Sequence, residues 1–130
     1  MRAIVVQQRG NPVAPNIKYV EDWPEPKSPA AGQVLIRTLA TAFNQMDLWV
    51  GRGVSGLELE YPRVSGCDAC GFVEAVGDGV DKNWLGKRVI VNAATVVPQP
   101  VRAGDPPASP LAPIYELIGE HHNGMQCERF

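Results

Sequence analysis

The residues best suited to chemistry fall in two short stretches. Asn44 and Asp47 stand three apart at the head of a helix-like segment, and Cys67-Asp68-Ala69-Cys70 follows later in the chain. A C-x-x-C pair serves either metal binding or thiol–disulfide cycling. The redox use needs a helix N-terminus to stabilise a thiolate, whereas Cys67 and Cys70 read as a loop entering a strand, so packing is their expected role. Asn44 reads as a helix N-cap and Asp47 as its first-turn acid. His121 and His122 are the only histidines. Neighbours in an extended chain point to opposite faces, so they do not form an acid–base pair, and exposed or partner-facing roles are expected.

Other groups read as structural. Gly51-Arg52-Gly53-Val54-Ser55-Gly56 spells Gly-x-Gly-x-x-Gly. A pyrophosphate site follows a strand and opens a helix, so that helix N–H groups meet phosphate. Here the order is reversed, and the glycines read as turn formers. The stretch that follows, 57–62, alternates like a strand and stops at proline, with Glu58 and Glu60 expected in solvent. Phe43, Trp49 and Tyr61 suit a substrate pocket or a core equally well. No Ser-His-Asp arrangement, phosphate loop or paired catalytic carboxylates can be argued.

These groups must be positioned by short elements, because glycine (13) and proline (12) punctuate the chain. Strands are predicted at 2–7 and 17–22, and three prolines bar 23–31 from being a central strand or helix interior. The longest strand is predicted over 32–43, where the near-continuous apolar run implies burial on both faces along part of its length. A helix over 44–50 should bury Met46, Trp49 and Val50 as one stripe and stop at Gly51. Strands resume at 71–76 and 88–92. Six of the twelve prolines then crowd 98–113, so about 97–114 reads as an extended, loosely structured excursion. Residues 125–130 look like the start of another strand, and an end in mid-strand suggests truncation. The class is mainly β, a compact barrel-like domain with one small helix.

Composition agrees with one globular domain of 130 residues, 45% apolar and 20% charged. A net charge of −2 offers no electrostatic reason for nucleic acid or an anionic membrane as partner. Neither a signal peptide nor a spanning run is visible, so a cytoplasmic location is the default expectation. Three cysteines are too few, and odd in number, for a disulfide scaffold.

Three segments in this order resemble a known family. Asn44-Gln45-Met46-Asp47, with the arginine and glycine that follow at Arg52 and Gly53, resembles the Asn-x-x-Asp signature of quinone oxidoreductases. The stretch 61–77, from Tyr61-Pro62 through Gly66-Cys67-Asp68 and Gly71 to Val76-Gly77, resembles the family's most characteristic run. Gly86-Lys87-Arg88-Val89 stands where Gly-Asp-Arg-Val is usual, Lys87 being a departure. The tail, Gly119 to Gly124 and then Glu128, is similar to the segment leading into the cofactor domain. Together they resemble the N-terminal GroES-like domain of the medium-chain dehydrogenase/reductase superfamily, which holds zinc-type alcohol dehydrogenases and quinone oxidoreductases.

The resemblance implies a GroES-like, partly open β-barrel with one or two short helices over 1–130. The barrel would form one wall of a cleft, and a Rossmann dinucleotide-binding domain absent from this chain would form the other. It implies an enzyme that moves hydride from NADPH or NADH to a carbonyl or conjugated double bond of a small-molecule substrate. NADP or NAD would serve the intact protein, with none expected on these residues alone, which should be inactive by themselves. It places Asn44 toward the nicotinamide ribose and substrate, as a catalytic and cofactor-binding residue, and Asp47 as an organiser of its neighbours. Zinc-dependent relatives carry Cys at the position of Asn44 and His-Glu at Cys67 and Asp68, and since thiolate and carboxylate are donors that zinc accepts, the resemblance leaves Cys67 and Asp68 as weak metal candidates. An amide oxygen is a poor zinc donor, and the position of the four-cysteine lobe, 97–114, holds no cysteine, so zinc is not expected. A different reading is a non-enzymatic GroES-like binding module, with the terminal strand and the proline-rich segment as surfaces for partners or self-association.

Overall fold

The computed structural model describes residues 1–96 and 115–130. The predicted proline-rich excursion therefore lies outside the described residues. Among the described residues eight strands and one α-helix follow in the order β1 (Ala3–Val6), β2 (Ile17–Val20), β3 (Val34–Ala42), α1 (Gln45–Arg52), β4 (Arg63–Val64), β5 (Asp68–Val76), β6 (Arg88–Ile90), β7 (Ala94–Val96) and β8 (Tyr115–Leu117). They pair antiparallel as β2-β1-β4, β3-β5-β6 and β7-β8. The described strands are mainly β architecture without a closed ring, as the partly open barrel requires. Among the described residues no helix is long and apolar enough to cross a membrane.

The last residues join the first two sheets. Cys127 bridges Ala3 of β1, and Arg129 bridges Arg37 of β3. Ile4 N–H donates to Gln126 O at 2.8 Å, and Thr38 N–H donates to Glu128 O at 2.9 Å. The strand expected over 125–130 is thus an extended splice whose backbone groups are taken up by two neighbours. Arg2 holds its end from the side, Nε and Nη2 both donating to Glu128 Oε1 and the backbone N–H to Oε2, which keeps the Glu128 carboxyl below its usual range. Ala3, Val5, Val64 and Cys127 form one core cluster beneath Val20, Trp23 and Phe130. Met46, Val50 and Cys67 form a second, under the site described below.

Four expectations change. In β3 only Ile36 is buried, and Leu39 is 48% exposed, because this antiparallel sheet carries its core on one side. The helix runs through Gly51, which packs against Val13, and ends at Gly53 with φ 91°. Its buried face is Met46, Asp47, Val50 and Gly51; Trp49 is 54% exposed, since the carboxylate and the glycine take the inward positions. Residues 57–62 join no ladder, although Leu57 and Leu59 are half-buried while Glu58 and Glu60 are exposed.

Burial pushes the Cys127 thiol up to about 11. The folded state therefore keeps this proton longer than an unfolded chain does. The resulting stabilisation is complete below the unfolded value near 9 and is lost as pH rises through the folded value. It is on the order of 2 kcal/mol. The urea midpoint should fall between those two values, and Cys127→Ala should flatten that part of the profile. An unchanged slope in the variant would assign the alkaline loss elsewhere.

Candidate functional site

The site is built where α1 meets the loop between β4 and β5. Asn44 has extended backbone (φ −143°, ψ −178°) and caps α1, its Oδ1 accepting from Met46 N–H at 2.7 Å. Asp47 reaches back, Oδ2 accepting from Asn44 N–H at 2.8 Å, which completes a reciprocal capping box. The other carboxylate oxygen, Oδ1, accepts from the Ser65 hydroxyl at 2.7 Å, with both residues nearly inaccessible. Asn44 Nδ2 donates to Cys67 Sγ at 2.5 Å and to Asp68 Oδ2 at 2.7 Å. Asn44, Asp47, Cys67 and Asp68, separated in sequence, thus form one hydrogen-bonded cluster with Ser65.

The loop is held from behind. Gly124, Met125 and Gln126 donate backbone N–H bonds to the carbonyls of Val64, Gly66 and Ser65 at 2.9, 2.9 and 2.8 Å. The buried Arg63 guanidinium donates to the carbonyls of Glu120 and His122, which fixes the turn over 119–123. Its desolvation lowers the Arg63 pKa. Ser65, Arg63 and Gln126 were not visible as site residues in the sequence. Each acts through a distant backbone segment, and no local pattern marks such a partner.

Burial raises the Cys67 thiol pKa; the Asn44 hydrogen bond lowers it, and the nearby charges of Asp68 and Asp47 raise it. Cys67, Cys70 and Cys127 are all free thiols. The other candidates lie apart. His121 and His122 occupy a turn rather than extended chain. His121 Nδ1 accepts from Leu117 N–H at 3.1 Å, while His122 Nε2 meets Glu116 Oε2 at 2.5 Å, both rings being exposed. Phe43 is 68% exposed, and the Tyr61 hydroxyl donates to Val50 O at 2.5 Å. The Gly-x-Gly-x-x-Gly run begins within the last turn of α1, where carbonyls rather than N–H groups are unsatisfied, which suits a cation and not a phosphate.

Around Asn44 the described residues do not present a formed zinc donor set. The amide nitrogen of Asn44 fills the space between Cys67 and Asp68, and both its hydrogens are committed there. Asn44 Oδ1 already serves the helix cap, and the Cys67 thiol is biased toward its protonated form. Among the described residues no group of three His, Cys, Asp or Glu side chains converges to hold a metal. What the cluster offers instead is an exposed Asp68 carboxylate and the second lone pair of Asn44 Oδ1, both acceptors.

Comparison with known proteins places this geometry. Residues 30–130 match the model of the alcohol dehydrogenase GroES-like domain. A quinone oxidoreductase of Rattus norvegicus is 35% identical over 89 residues, covering 68% of this chain and 26% of that protein. The crystal structure of an NAD-dependent alcohol dehydrogenase superposes with a TM-score of 0.82 at 36% identity, covering 100% of this chain and 36% of that one. A cobalt- and zinc-bound thermostable alcohol dehydrogenase from Pyrobaculum aerophilum gives a TM-score of 0.78 at 25% identity, covering 100% of this chain and 38% of that one. The chain thus spans between 26% and 38% of the length of these relatives. On the family match and the shared fold, this chain belongs to the alcohol dehydrogenase GroES-like domain family.

Proposed function

We propose that residues 1–130 are the substrate-side domain of an NAD(P)H-dependent medium-chain oxidoreductase, of the quinone oxidoreductase and alcohol dehydrogenase-like kind, that reduces a carbonyl or conjugated double bond without a metal. The observation that carries this reading is Asn44 bridging Cys67 and Asp68 through its amide nitrogen. The bound nicotinamide would supply the hydride. In this reading the dinucleotide is held by a Rossmann domain outside these residues, and 1–130 alone do not turn over.

The chain's own residues orient. Ser65 and Asp47 fix the backbone at Asn44, and the amide fixes the Asp68 carboxylate. Asn44 has no hydrogen left to donate to a substrate oxygen, so its role toward the ligand is acceptance, through the free lone pair of Oδ1, from a ribose hydroxyl. Polarisation of the substrate oxygen then falls to donors on the opposite wall of the cleft and to the cofactor ribose. In the alternative reading, a non-enzymatic binding module, the terminal segment has little backbone left for strand addition because its groups bond to β1 and β3, while the proline-rich segment lies outside the described residues.

Two measurements test the proposal. Purified chain should carry only substoichiometric zinc after exposure to the metal, and stoichiometric zinc lost in Cys67→Ser would overturn the metal-free assignment. NADPH should not saturably quench the tryptophan fluorescence of these residues alone. Binding with Kd on the order of 1 μM would place the cofactor site within them.

A further inference from the structure

A separate hollow lies beyond the C-terminal end of α1, and nothing above assigns it a role. It is a half-open surface concavity of about 420 Å³, within the range of small-ligand sites, and its walls include Arg9, Gly53, Leu57, Glu58, Leu59 and Tyr61. Two leucines and an aromatic ring make it largely apolar, with one cation and one carboxylate on its walls.

Arg9 is exposed and is anchored by one hydrogen bond. Its Nε donates to Arg52 O at 2.7 Å, where the helix leaves its carbonyls unsatisfied and favours a cation. The guanidinium lies against Gly53, whose added Cβ would stand 2.6 Å from Arg9 Nε and 2.9 Å from Cζ. Only glycine leaves that room and adopts the φ of 91° found there. Among the described residues the two terminal nitrogens of Arg9 have no hydrogen-bond partner and no carboxylate within ion-pair distance. Tyr61 is fixed through its hydroxyl on Val50 O; burial raises the phenol pKa, and the charges of Arg63 and, to a lesser extent, Arg9 offset part of that rise.

A guanidinium anchored through Nε with free terminal N–H groups is a fork for a carboxylate, and apolar walls suit a short hydrocarbon tail. Glu58 faces the same space and disfavours a second negative charge, so a monoanion fits better than a phosphate ester. We propose that this hollow binds a small aliphatic or aromatic monocarboxylate, its carboxylate on Arg9 and its tail against Leu57, Leu59 and Tyr61. The assignment is independent of the hydride-transfer reading.

The experiment is a calorimetric titration of the full chain with hexanoate, and with hexanamide and hexyl phosphate as probes of charge. Hexanoate should saturate with Kd of about 1 mM, and hexanamide should bind at least about tenfold more weakly. Hexyl phosphate should also bind more weakly than hexanoate. Arg9→Gln should lose about tenfold in hexanoate affinity. Equal affinity for acid and amide, no saturation by hexanoate, or tighter binding of the phosphate would overturn the proposal. The acid–amide comparison uses the unaltered protein, so it decides the matter even if Arg9→Gln folds poorly. Because neither probe is a nicotinamide or a metal, failure here leaves the zinc and NADPH tests untouched.

Discussion

Asp47→Ala should lower the unfolding free energy by about 3 kcal/mol, a large share of what a domain of this size possesses. The substitution removes the acceptor for Asn44 N–H, and losing a reciprocal cap costs about 1 kcal/mol. It also strands the Ser65 hydroxyl, which is only 2% exposed, at about 1–3 kcal/mol. Asp47→Asn keeps an acceptor oxygen and should cost roughly half as much. In a double-mutant cycle with Ser65→Ala, measured by urea unfolding, the two changes should be non-additive by about 1 kcal/mol or more. Additivity would show that Ser65 and Asp47 do not share a bond that matters. If Asp47→Ala left stability unchanged, the buried carboxylate would have lost its role in holding Asn44.

A comparable loss, about 3–4 kcal/mol, is expected for Gly66→Ala, from a different cause. Gly66 has φ 97°, which an L side chain rarely adopts. An added Cβ would lie 2.5 Å from Gln126 Cγ and 3.0 Å from Cδ, inside a side chain that is itself buried. Backbone strain accounts for about 1–3 kcal/mol and overpacking for a similar amount. Adding Gln126→Ala should remove the clash with Cγ and Cδ but leave the strain and the 3.2 Å contact with Gln126 N, recovering about 1 kcal/mol. No recovery in the double variant would locate the whole penalty in the backbone. Gly66 directly precedes Cys67 and Asp68, so strain there should also loosen their contact with Asn44. That is readable as altered exchange of the Asn44 side-chain amide by NMR.

The parts of this domain that depend on near neighbours were legible in the sequence. The cap at Asn44 with Asp47 three residues on, the strands at the N-terminus and through 71–76, and the wrong order around Gly51 to Gly56 all follow from bonds or periodicities spanning a few residues. The resemblance carried in the segments around Asn44, Cys67 and Gly86 led to the family that the comparison then established. Where the helix stops was misread, because Gly51 and Gly53 look alike as letters. Packing against Val13 makes the first an interior residue, and only the second takes positive φ.

Tertiary structure alone decided the rest. Asn44 meets Cys67 and Asp68 across 23 and 24 residues, and Ser65 meets Asp47 across 18, which no local pattern encodes. Which face of β3 is covered, and whether Leu57 to Glu60 finds a partner strand, depend on what packs nearby rather than on the alternation of residue types. The sequence by itself determined the short-range hydrogen bonds and the family, because those rest on residue type at fixed small spacings. The donors and acceptors facing one another across the site were set by the fold, because the splice of residues 124–130 into two sheets brings the β4–β5 loop up against the head of α1.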